Sequence, residues 1–172
     1  MHIRDATEAD AAAITELQNA LLATTAIEWT DTPHTAESRV AWIRAHQHEG
    51  AVLVAEDGEV VGFAAYGDFR DSLRWPGYRF VVENTVHVRR DRWGTSVGRL
   101  LMEALIAHAT AAGKHAMVAA IDGENEASIR FHERLGFREV ARMPEVGAKL
   151  GRWLDLVLLQ RTLDDRRRPP SS

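Results

Sequence analysis

The amino-acid sequence predicts a single α/β domain, and three local patterns support this prediction. A short strand at the N-terminus leads into an amphipathic helix. The dipeptide Asp57-Gly58 stands between two apolar runs, which is typical of a β-hairpin. A strand, a glycine-containing loop and a long helix follow one another over residues 80–113. The chain has 172 residues, of which 45% are hydrophobic and 27% charged, and this suits one globular domain.

Capping residues place the first two helices. Thr7 is the predicted N-cap of the first helix, with Asp10 three residues later. The apolar residues at helical spacing in this helix are Ile14, Leu17 and Leu21. The second helix is predicted over TAESRVAWIRAHQHEG, between the N-cap Thr35 and the terminating Gly50. The segment between the helices, TTAIEWTDTPH at residues 24–34, is irregular and polar, which makes it a candidate substrate loop.

The middle of the chain alternates strands and loops. Residues 51–66 are predicted to form two antiparallel strands joined by a two-residue type I′ turn at Asp57-Gly58. GDFRDSLRWPGYR, with glycine, proline and arginine, is predicted to be a surface loop. FVVENTVHV is β-branched and nearly alternating, which predicts a strand that leads through RRDRWGTSVG into a helix ending near Gly113.

The C-terminal third continues with a strand over AMVAAI and a short helix over NEASIRFHERL that ends at Gly136. FREVARM and RWLDLVLLQRTL are predicted to be the last two strands. The polar, proline-containing segment DDRRRPPSS is expected to be disordered. The single domain is therefore expected over residues 1–163, with a tail over residues 164–172.

Composition excludes several classes of partner. A net charge of −4 gives no basic surface for nucleic acid or for an anionic membrane. The absence of cysteine excludes disulfides, thiolate zinc sites and a cysteine nucleophile. His46 and His48 are two residues apart on a predicted helix and point in different directions, so we expect no metal. MHIRDATEAD lacks the apolar core of a signal peptide, which predicts a cytoplasmic protein. The lack of a basic surface favours a small molecule or a protein as the substrate.

The stretch RWGTSVGRLL, residues 92–101, combines two glycines with the start of a helix. A strand that ends in a glycine loop at a helix N-terminus offers free backbone N–H groups and the positive end of the helix dipole, which together bind phosphate. The alternative is a plain strand-to-helix turn. The sequence is neither a Walker loop nor a GxGxxG fingerprint, which makes ATP and NAD poor candidates.

Two motifs resemble the GCN5-related N-acetyltransferases, the GNAT family. RWGTSVGRLL resembles their acetyl-CoA loop, Arg/Gln-x-x-Gly-x-Gly/Ala, with Trp93 at the Arg/Gln position and Ser96 at the middle glycine. AIDGENEASIRFHERLGF resembles the second signature of the family, in which an asparagine contacts the cofactor and a short helix ends in Leu-Gly-Phe. Over residues 3–163 the chain also resembles the phosphinothricin and methionine sulfoximine acetyltransferases, most clearly in TTAIEWTDTPHTAESRVAW, VENTVHV and GRWLDLVLLQ.

The resemblance implies a fold and an activity. The expected fold is a mixed, mostly antiparallel, curved sheet flanked by helices, with a splayed pair of central strands that admits acetyl-CoA, often as a homodimer. The expected reaction is direct transfer of acetyl from acetyl-CoA to the primary amine of a small, amino-acid-like substrate. The alternatives are acetylation of a protein N-terminus or another amine, and a degenerate CoA-binding module. The implied acetyl-CoA contacts are Val86, His87, Val88, Trp93, Gly94, Thr95, Ser96, Val97, Gly98, Arg99, Asn125 and Ser128.

Two residues are candidates for proton transfer. Glu83 shares a strand face with Thr85 and His87, and a carboxylate inside a strand is unusual. The resemblance favours Glu83 as the general base, and the alternative is a solvent-facing strand residue. His132 occupies the position where many members carry a tyrosine that protonates the departing thiolate, so it could act as the acid. A packing or capping histidine is an equal alternative.

The substrate-binding candidates lie in the two loops and in the central strand. Their residues are Glu28, Arg70, Arg74, Asn84 and Thr85. Arg70 and Arg74 are suited to bind a carboxylate, although each could instead be an exposed surface charge. Glu28 could face the substrate ammonium.

In the cofactor loop, Ser96 would lower the stability of the fold by roughly 1–2 kcal/mol if its position requires a left-handed backbone.

Overall fold

The computed structural model describes residues 1–170, and for residues 48 and 49 the backbone only. Seven strands and four helices make up the fold. The strands are β1 (His2–Asp5), β2 (Ala51–Glu56), β3 (Val60–Asp68), β4 (Val81–Val88), β5 (Ala116–Asp122), β6 (Arg138–Lys149) and β7 (Arg152–Thr162). The helices are α1 (Ala11–Leu22), α2 (Ala36–Glu49), α3 (Val97–Ala111) and α4 (Glu126–Arg134).

All seven strands form one sheet in the order β1-β2-β3-β4-β5-β7-β6. Neighbouring strands are antiparallel except for β4 and β5, which are parallel. The two faces of the sheet have separate apolar cores, one beneath α3 and one beneath α1 and α2. The predicted mixed, mostly antiparallel sheet flanked by helices is confirmed.

The central strands β4 and β5 separate soon after they meet. Their pairing covers only Val81↔Ala116, Val82↔Met117 and Glu83↔Val118. Beyond this point β4 pairs only with β3, and β5 pairs only with β7. The splayed pair that was predicted is therefore present, and Glu83 is the last residue of β4 that pairs with β5.

Local signals set the helix starts. Asp10 accepts hydrogen bonds from the backbone N–H and hydroxyl of Thr7, at 2.8 and 3.0 Å, as predicted. One turn of 3₁₀ helix, Glu8–Asp10, precedes α1, so the α-helix begins slightly later than the cap suggests. Thr35 accepts a hydrogen bond from the Ser38 backbone N–H at 3.1 Å, which confirms it as the N-cap of α2.

Two elements differ from the sequence prediction. The β2–β3 hairpin is present, but Glu56 pairs with Val60, so its loop has three residues rather than two and the register shifts beside it. Gly58 supplies the positive φ, +78°, in this loop. Strand β6 continues through Pro144 to Lys149, well past the predicted FREVARM. Proline is tolerated there because β6 is an edge strand whose outer N–H groups have no partner to lose.

The residues that follow the predicted domain boundary at residue 163 contact the body of the protein. Asp164 accepts a hydrogen bond from His115 at 2.7 Å, and the Arg166 guanidinium donates to the carbonyl of Gly113 at 2.8 Å. These contacts attach the first residues of the expected tail to the body of the protein. Residues 171–172 of that tail lie outside the described residues. Among residues 1–170, no helix is long and apolar enough to cross a membrane.

Candidate active site

Two cavities meet at the gap between β4 and β5. One, of about 570 Å³, is bordered by the 24–34 loop, α2 and the face of β4 that carries Glu83, and we call it the acceptor cavity. The other, of about 600 Å³, is bordered by the Trp93–Arg99 loop and α4, and we call it the cofactor cavity. The residues that line both are Ile27, Val86, His87, Asn125 and Ser128. Molecules bound in the two cavities would meet within the splay.

The loop before α3 leaves backbone donors free. Among the described residues, the N–H groups of Ser96, Gly98 and Arg99 donate to no protein acceptor. Gly94 has φ +76°, which L-residues rarely adopt, and turns the chain before the helix. Ser96 has φ −75° and ψ −7°, so the left-handed strain that we considered for it is absent. The loop provides the donors and the helix dipole that a phosphate needs.

Side chains complete the cofactor cavity. Trp93 donates its indole N–H to the carbonyl of Val88 at 2.7 Å, which ties the loop to the end of β4. Asn125 caps α4 by accepting from the Ser128 backbone N–H at 3.1 Å, and its amide NH₂ donates to no protein atom in the described chain. Arg134, in the last turn of α4, borders the cavity without an ion-pair partner among residues 1–170. These free donors and this free cation fit a phosphate-bearing amide chain such as that of coenzyme A.

Glu83 lies in the acceptor cavity, at the point where β4 and β5 separate, and has the properties of a general base. Its carboxylate makes no hydrogen bond within the described chain, and it lines the acceptor cavity. Burial raises the pKa of Glu83 above the ordinary glutamate value. A free carboxylate with a raised pKa is suited to accept a proton near neutral pH.

Glu28 has the opposite environment. Its Oε2 accepts from His34 Nε2 at 2.9 Å, its Oε1 lies 3.3 Å from His87 Nε2, and Gln18 donates to it. Burial alone would raise the pKa of Glu28, but the hydrogen bonds from His87, His34 and Gln18 outweigh it and lower this pKa to about 2. Glu28 is therefore a fixed anion in the wall of the acceptor cavity and a weak base.

The far end of the sheet holds the 24–34 loop in place. Lys149 at the end of β6 donates to the carbonyl of Glu28 at 2.7 Å. Trp29 packs so closely on Gly147 that a Cβ there would lie 2.3 Å from its ring. Asn19 of α1 holds the other end of the loop through both backbone groups of His34, at 2.9 Å each. The wall of the acceptor cavity thus depends on residues far apart in sequence.

The family follows from comparison with known proteins. Residues 14–137 match the model of the Acetyltransferase (GNAT) family. L-methionine sulfoximine/L-methionine sulfone acetyltransferase from Salmonella typhimurium is 46% identical over 171 residues, which cover 98% of each chain. The chain belongs to the GNAT family.

Two further proteins place it within that family. Phosphinothricin N-acetyltransferase from Streptomyces coelicolor is 34% identical over 168 residues, covering 95% of this chain and 96% of the relative. The solved structure of yncA from Salmonella typhimurium with its cofactor acetyl-CoA superimposes with a TM-score of 0.94 at 44% identity, covering 100% and 99% of the two chains. The GNAT family, the GNAT fold and the resemblance to these acetyltransferases, all predicted from the sequence, are confirmed.

All but one of the residues that the resemblance implies as acetyl-CoA contacts border the cofactor cavity. Those that line the cofactor cavity are Val86, His87, Val88, Trp93, Gly94, Thr95, Ser96, Gly98, Arg99, Asn125 and Ser128. Val97 does not: its side chain is only 3% exposed and packs in the core beneath α3. Val97 is the first residue of α3, and its side chain faces the sheet on which α3 packs.

His132 has a different environment from the one predicted for an acid. Its Nδ1 donates to the Ser128 carbonyl at 2.9 Å, and its Nε2 accepts from the Asn84 amide at 3.1 Å. Burial lowers the pKa of His132, so the ring is neutral and its single proton is held by Ser128. The geometry therefore supports the packing alternative, with His132 fixing Asn84, and does not support protonation of a thiolate.

Asn84 has one end of its amide bound to the protein and the other end free. It is buried, and its amide nitrogen donates to His132 and also lies 3.7 Å from the sulfur of Met102, whereas its oxygen has no partner among the described residues. Asn84, Thr85 and Glu28 all line the acceptor cavity. The strand and loop candidates are thus brought together.

Arg70 and Arg74 do not line either cavity. Arg70 lies over the rings of Phe69 and Tyr78, and Arg74 lies over the exposed ring of Trp75. The loop folds on its own aromatic residues, so the prediction that these arginines contact substrate in the same chain is not supported. Sequence reasoning did not single out several polar residues that border the cavities, among them Gln18, Arg39 and Arg134, because no local motif marks them.

Proposed function

We propose that this protein transfers the acetyl group of acetyl-CoA to the primary amine of a small amino acid of the L-methionine sulfone or L-methionine sulfoximine type. One observation carries the proposal: Glu83, with a raised pKa and no hydrogen-bond partner among the described residues, lines the acceptor cavity at the last β4–β5 pair before the splay. The similarity to the Salmonella typhimurium acetyltransferase supports this choice of acceptor.

Each residue of the site has a separate role in the proposed acetyl transfer. Acetyl-CoA, when bound, supplies an activated acetyl thioester. The N–H groups of Ser96, Gly98 and Arg99 and the side chain of Arg134 would hold its phosphates, and Asn125 would hold the pantetheine amides. Glu83 removes the proton from the acceptor ammonium, because only the neutral amine has a lone pair for attack. The new C–N bond replaces the C–S bond of the thioester, so the thiol is the leaving group.

The size of the acceptor cavity favours a small amine. Its volume of about 570 Å³ is in the range of small-molecule sites. The 24–34 loop, held by Lys149 and Trp29, borders it on one side. A free base and free cofactor donors also argue against a degenerate module that only binds coenzyme A.

An acetyl-CoA-dependent assay tests the proposal. We expect release of free thiol and a product heavier by one acetyl group with L-methionine sulfone, L-methionine sulfoximine or L-phosphinothricin. A peptide with a free N-terminus is expected to react poorly. Acetylation of the peptide in preference to all three amino acids would favour the alternative acceptor, and binding of acetyl-CoA without any acetylation would favour a non-enzymatic module.

A homodimer is also part of the proposal. The edge strand β6 exposes apolar side chains along its length, and Leu150 and Trp153 extend this surface into β7. The exposed apolar residues of β6 are Val140, Met143 and Val146. Exposed apolar surface on an edge strand is typical of an interface. Light scattering after size exclusion is expected to give the mass of two chains, and the mass of one chain would contradict this.

A further inference from the structure

Arg39 stands out in the acceptor cavity because it is a buried cation with unused donors. It is 4% exposed, on α2. One guanidinium nitrogen, Nη2, donates to the side-chain oxygen of Gln18. The buried Nε has no partner, and no protein acceptor in the described chain takes a hydrogen bond from Nη1. An uncompensated buried N–H of a cation is costly, and its presence in a cavity wall points to a missing anionic ligand.

No carboxylate neutralises Arg39 directly. Among the described residues no carboxylate oxygen lies within the 4 Å of an ion pair. Gln18 separates it from Glu28: the Gln18 oxygen accepts from Arg39, and the Gln18 nitrogen donates to Glu28. The Gln18 amide thus separates the positive charge of Arg39 from the negative charge of Glu28. It leaves Nε and Nη1 of Arg39 without a hydrogen-bond partner among the described residues. The guanidinium carbon of Arg39 lies 4.4 Å from the centre of the Trp42 ring, so the guanidinium stacks on this ring.

The acceptor cavity has no other free cation. Of the residues that line it in the described chain, Arg39 is the only arginine or lysine. Asp122, which also lines the cavity, is bound by Arg152 at 2.6 Å, so that arginine is already paired. An amino acid that enters this cavity brings a carboxylate as well as an ammonium. The carboxylate must exchange its water for hydrogen-bond donors, and a guanidinium is the strongest donor for it.

We propose that Arg39 binds the carboxylate of the amino-acid acceptor and so selects amines that carry one. The inference rests on the proposed function. Glu83 and Arg39 then take the two ends of a zwitterion, with Glu83 at the ammonium and Arg39 at the carboxylate. Arg39 replaces Arg70 and Arg74, which the sequence suggested for this role and which lie outside the cavity.

The test compares two acceptors that differ only in the carboxylate, L-methionine sulfone and its carboxamide. For the wild type we expect kcat/KM to favour the carboxylate by on the order of 10- to 100-fold, as for a charge-assisted hydrogen bond. Arg39→Gln is expected to bring this ratio close to one, and Arg39→Lys to keep part of it. The amine of the carboxamide is less basic, but this affects all variants equally, so the change in ratio isolates the carboxylate.

Matched variants separate binding from structural support. Arg70→Gln and Arg74→Gln are expected to leave the ratio unchanged. Gln18→Glu places a carboxylate against Arg39 and is expected to lower the ratio while the guanidinium remains, which provides a second arm if Arg39→Gln folds poorly. Partial unfolding lowers activity with both acceptors alike and does not alter the ratio.

The outcomes are distinct. An undiminished ratio in both Arg39→Gln and Gln18→Glu, with an active wild type, overturns the role of Arg39 alone. A collapse of the ratio in Arg70→Gln or Arg74→Gln transfers the role to the loop arginines and likewise overturns it. A wild type that acetylates no amino acid overturns the proposed function itself, together with this inference.

Discussion

Glu83→Gln is the most direct test of the catalytic assignment. The substitution keeps the shape of the side chain and removes its ability to accept a proton. Glu83 makes no hydrogen bond to any of the described residues, so the substitution removes no hydrogen bond seen in the structure. Because burial raises the pKa of Glu83, its ionised form opposes folding at pH values above that pKa. The variant is therefore expected to have an equal or higher Tm than the wild type at neutral pH.

The structure also indicates how much activity is lost. Removal of a general base typically lowers the rate by roughly 10²–10⁴. Glu28 cannot substitute, since its pKa is lowered to about 2. His132 cannot substitute either, because both of its ring nitrogens are hydrogen-bonded. We therefore expect a loss in kcat/KM on the order of 10³ at neutral pH.

The dependence of the loss on pH is more diagnostic than its size. With Glu83 present, the ammonium form of the acceptor is used, and kcat/KM levels off above the raised pKa of Glu83. Without it only the free amine reacts, so kcat/KM should rise about tenfold per pH unit up to the pKa of the amine. The deficit of Glu83→Gln is therefore expected to shrink as pH rises.

The assay follows thiol release from acetyl-CoA with L-methionine sulfone across this pH range. Glu37→Gln, an exposed position in the first turn of α2, is the matched control and should behave as the wild type. Acetyl-CoA affinity, measured by calorimetry, should be the same in all three proteins. A profile of Glu83→Gln parallel to that of the wild type, or activity unchanged at every pH, would refute the role of Glu83 as base.

Three further substitutions test the surrounding structure. Gly94→Ala should destabilise the protein by about 1–2 kcal/mol in thermal unfolding, because φ is +76°, whereas Ser96→Gly should change stability and acetyl-CoA affinity by at most about 1 kcal/mol. His132→Phe should lower the free energy of unfolding by roughly 2–4 kcal/mol, since Asn84 and the Ser128 carbonyl each lose a hydrogen-bond partner. It should reduce kcat less than about tenfold, and a larger loss of kcat in folded protein would support His132 as the general acid. Gly147→Ala should displace Trp29 and raise the KM for the acceptor about tenfold without altering acetyl-CoA affinity, and equal effects on both substrates would contradict this.

Elements with local signals could be predicted from the sequence. Thr7 with Asp10 and Thr35 with Ser38 are capping arrangements within four residues, and strand alternation was enough to place Glu83 on the face of β4 with Thr85. The end of β6 was missed because Pro144 and Gly147 are typical of a turn. They are allowed in this strand by its edge position and by the break in its pairing with β7 between Met143 and Gly147. Sheet order, which puts β6 at the edge, is not encoded in any short segment.

The substrate side of the site depended on long-range packing and was harder to predict. Arg39 is on a helix that the sequence placed correctly, but its role depends on Gln18 and on the 24–34 loop, which lie on other elements. Arg70 and Arg74 were chosen because their loop adjoins the catalytic strand. That reasoning failed because aromatic residues within the loop take up both guanidinium groups.

Two carboxylates of the acceptor cavity, Glu28 and Glu83, show how one small site can both hold and deprotonate an amine. Glu28 receives hydrogen bonds from three side chains and stays ionised, whereas Glu83 is buried without a donor and its pKa is raised. Two acids with opposite environments take different roles, because the strongly stabilised anion binds charge and only the destabilised one gains by accepting a proton. The donors on Glu28 therefore make Glu83 the base, since a proton leaving the acceptor ammonium goes to the carboxylate with the higher pKa.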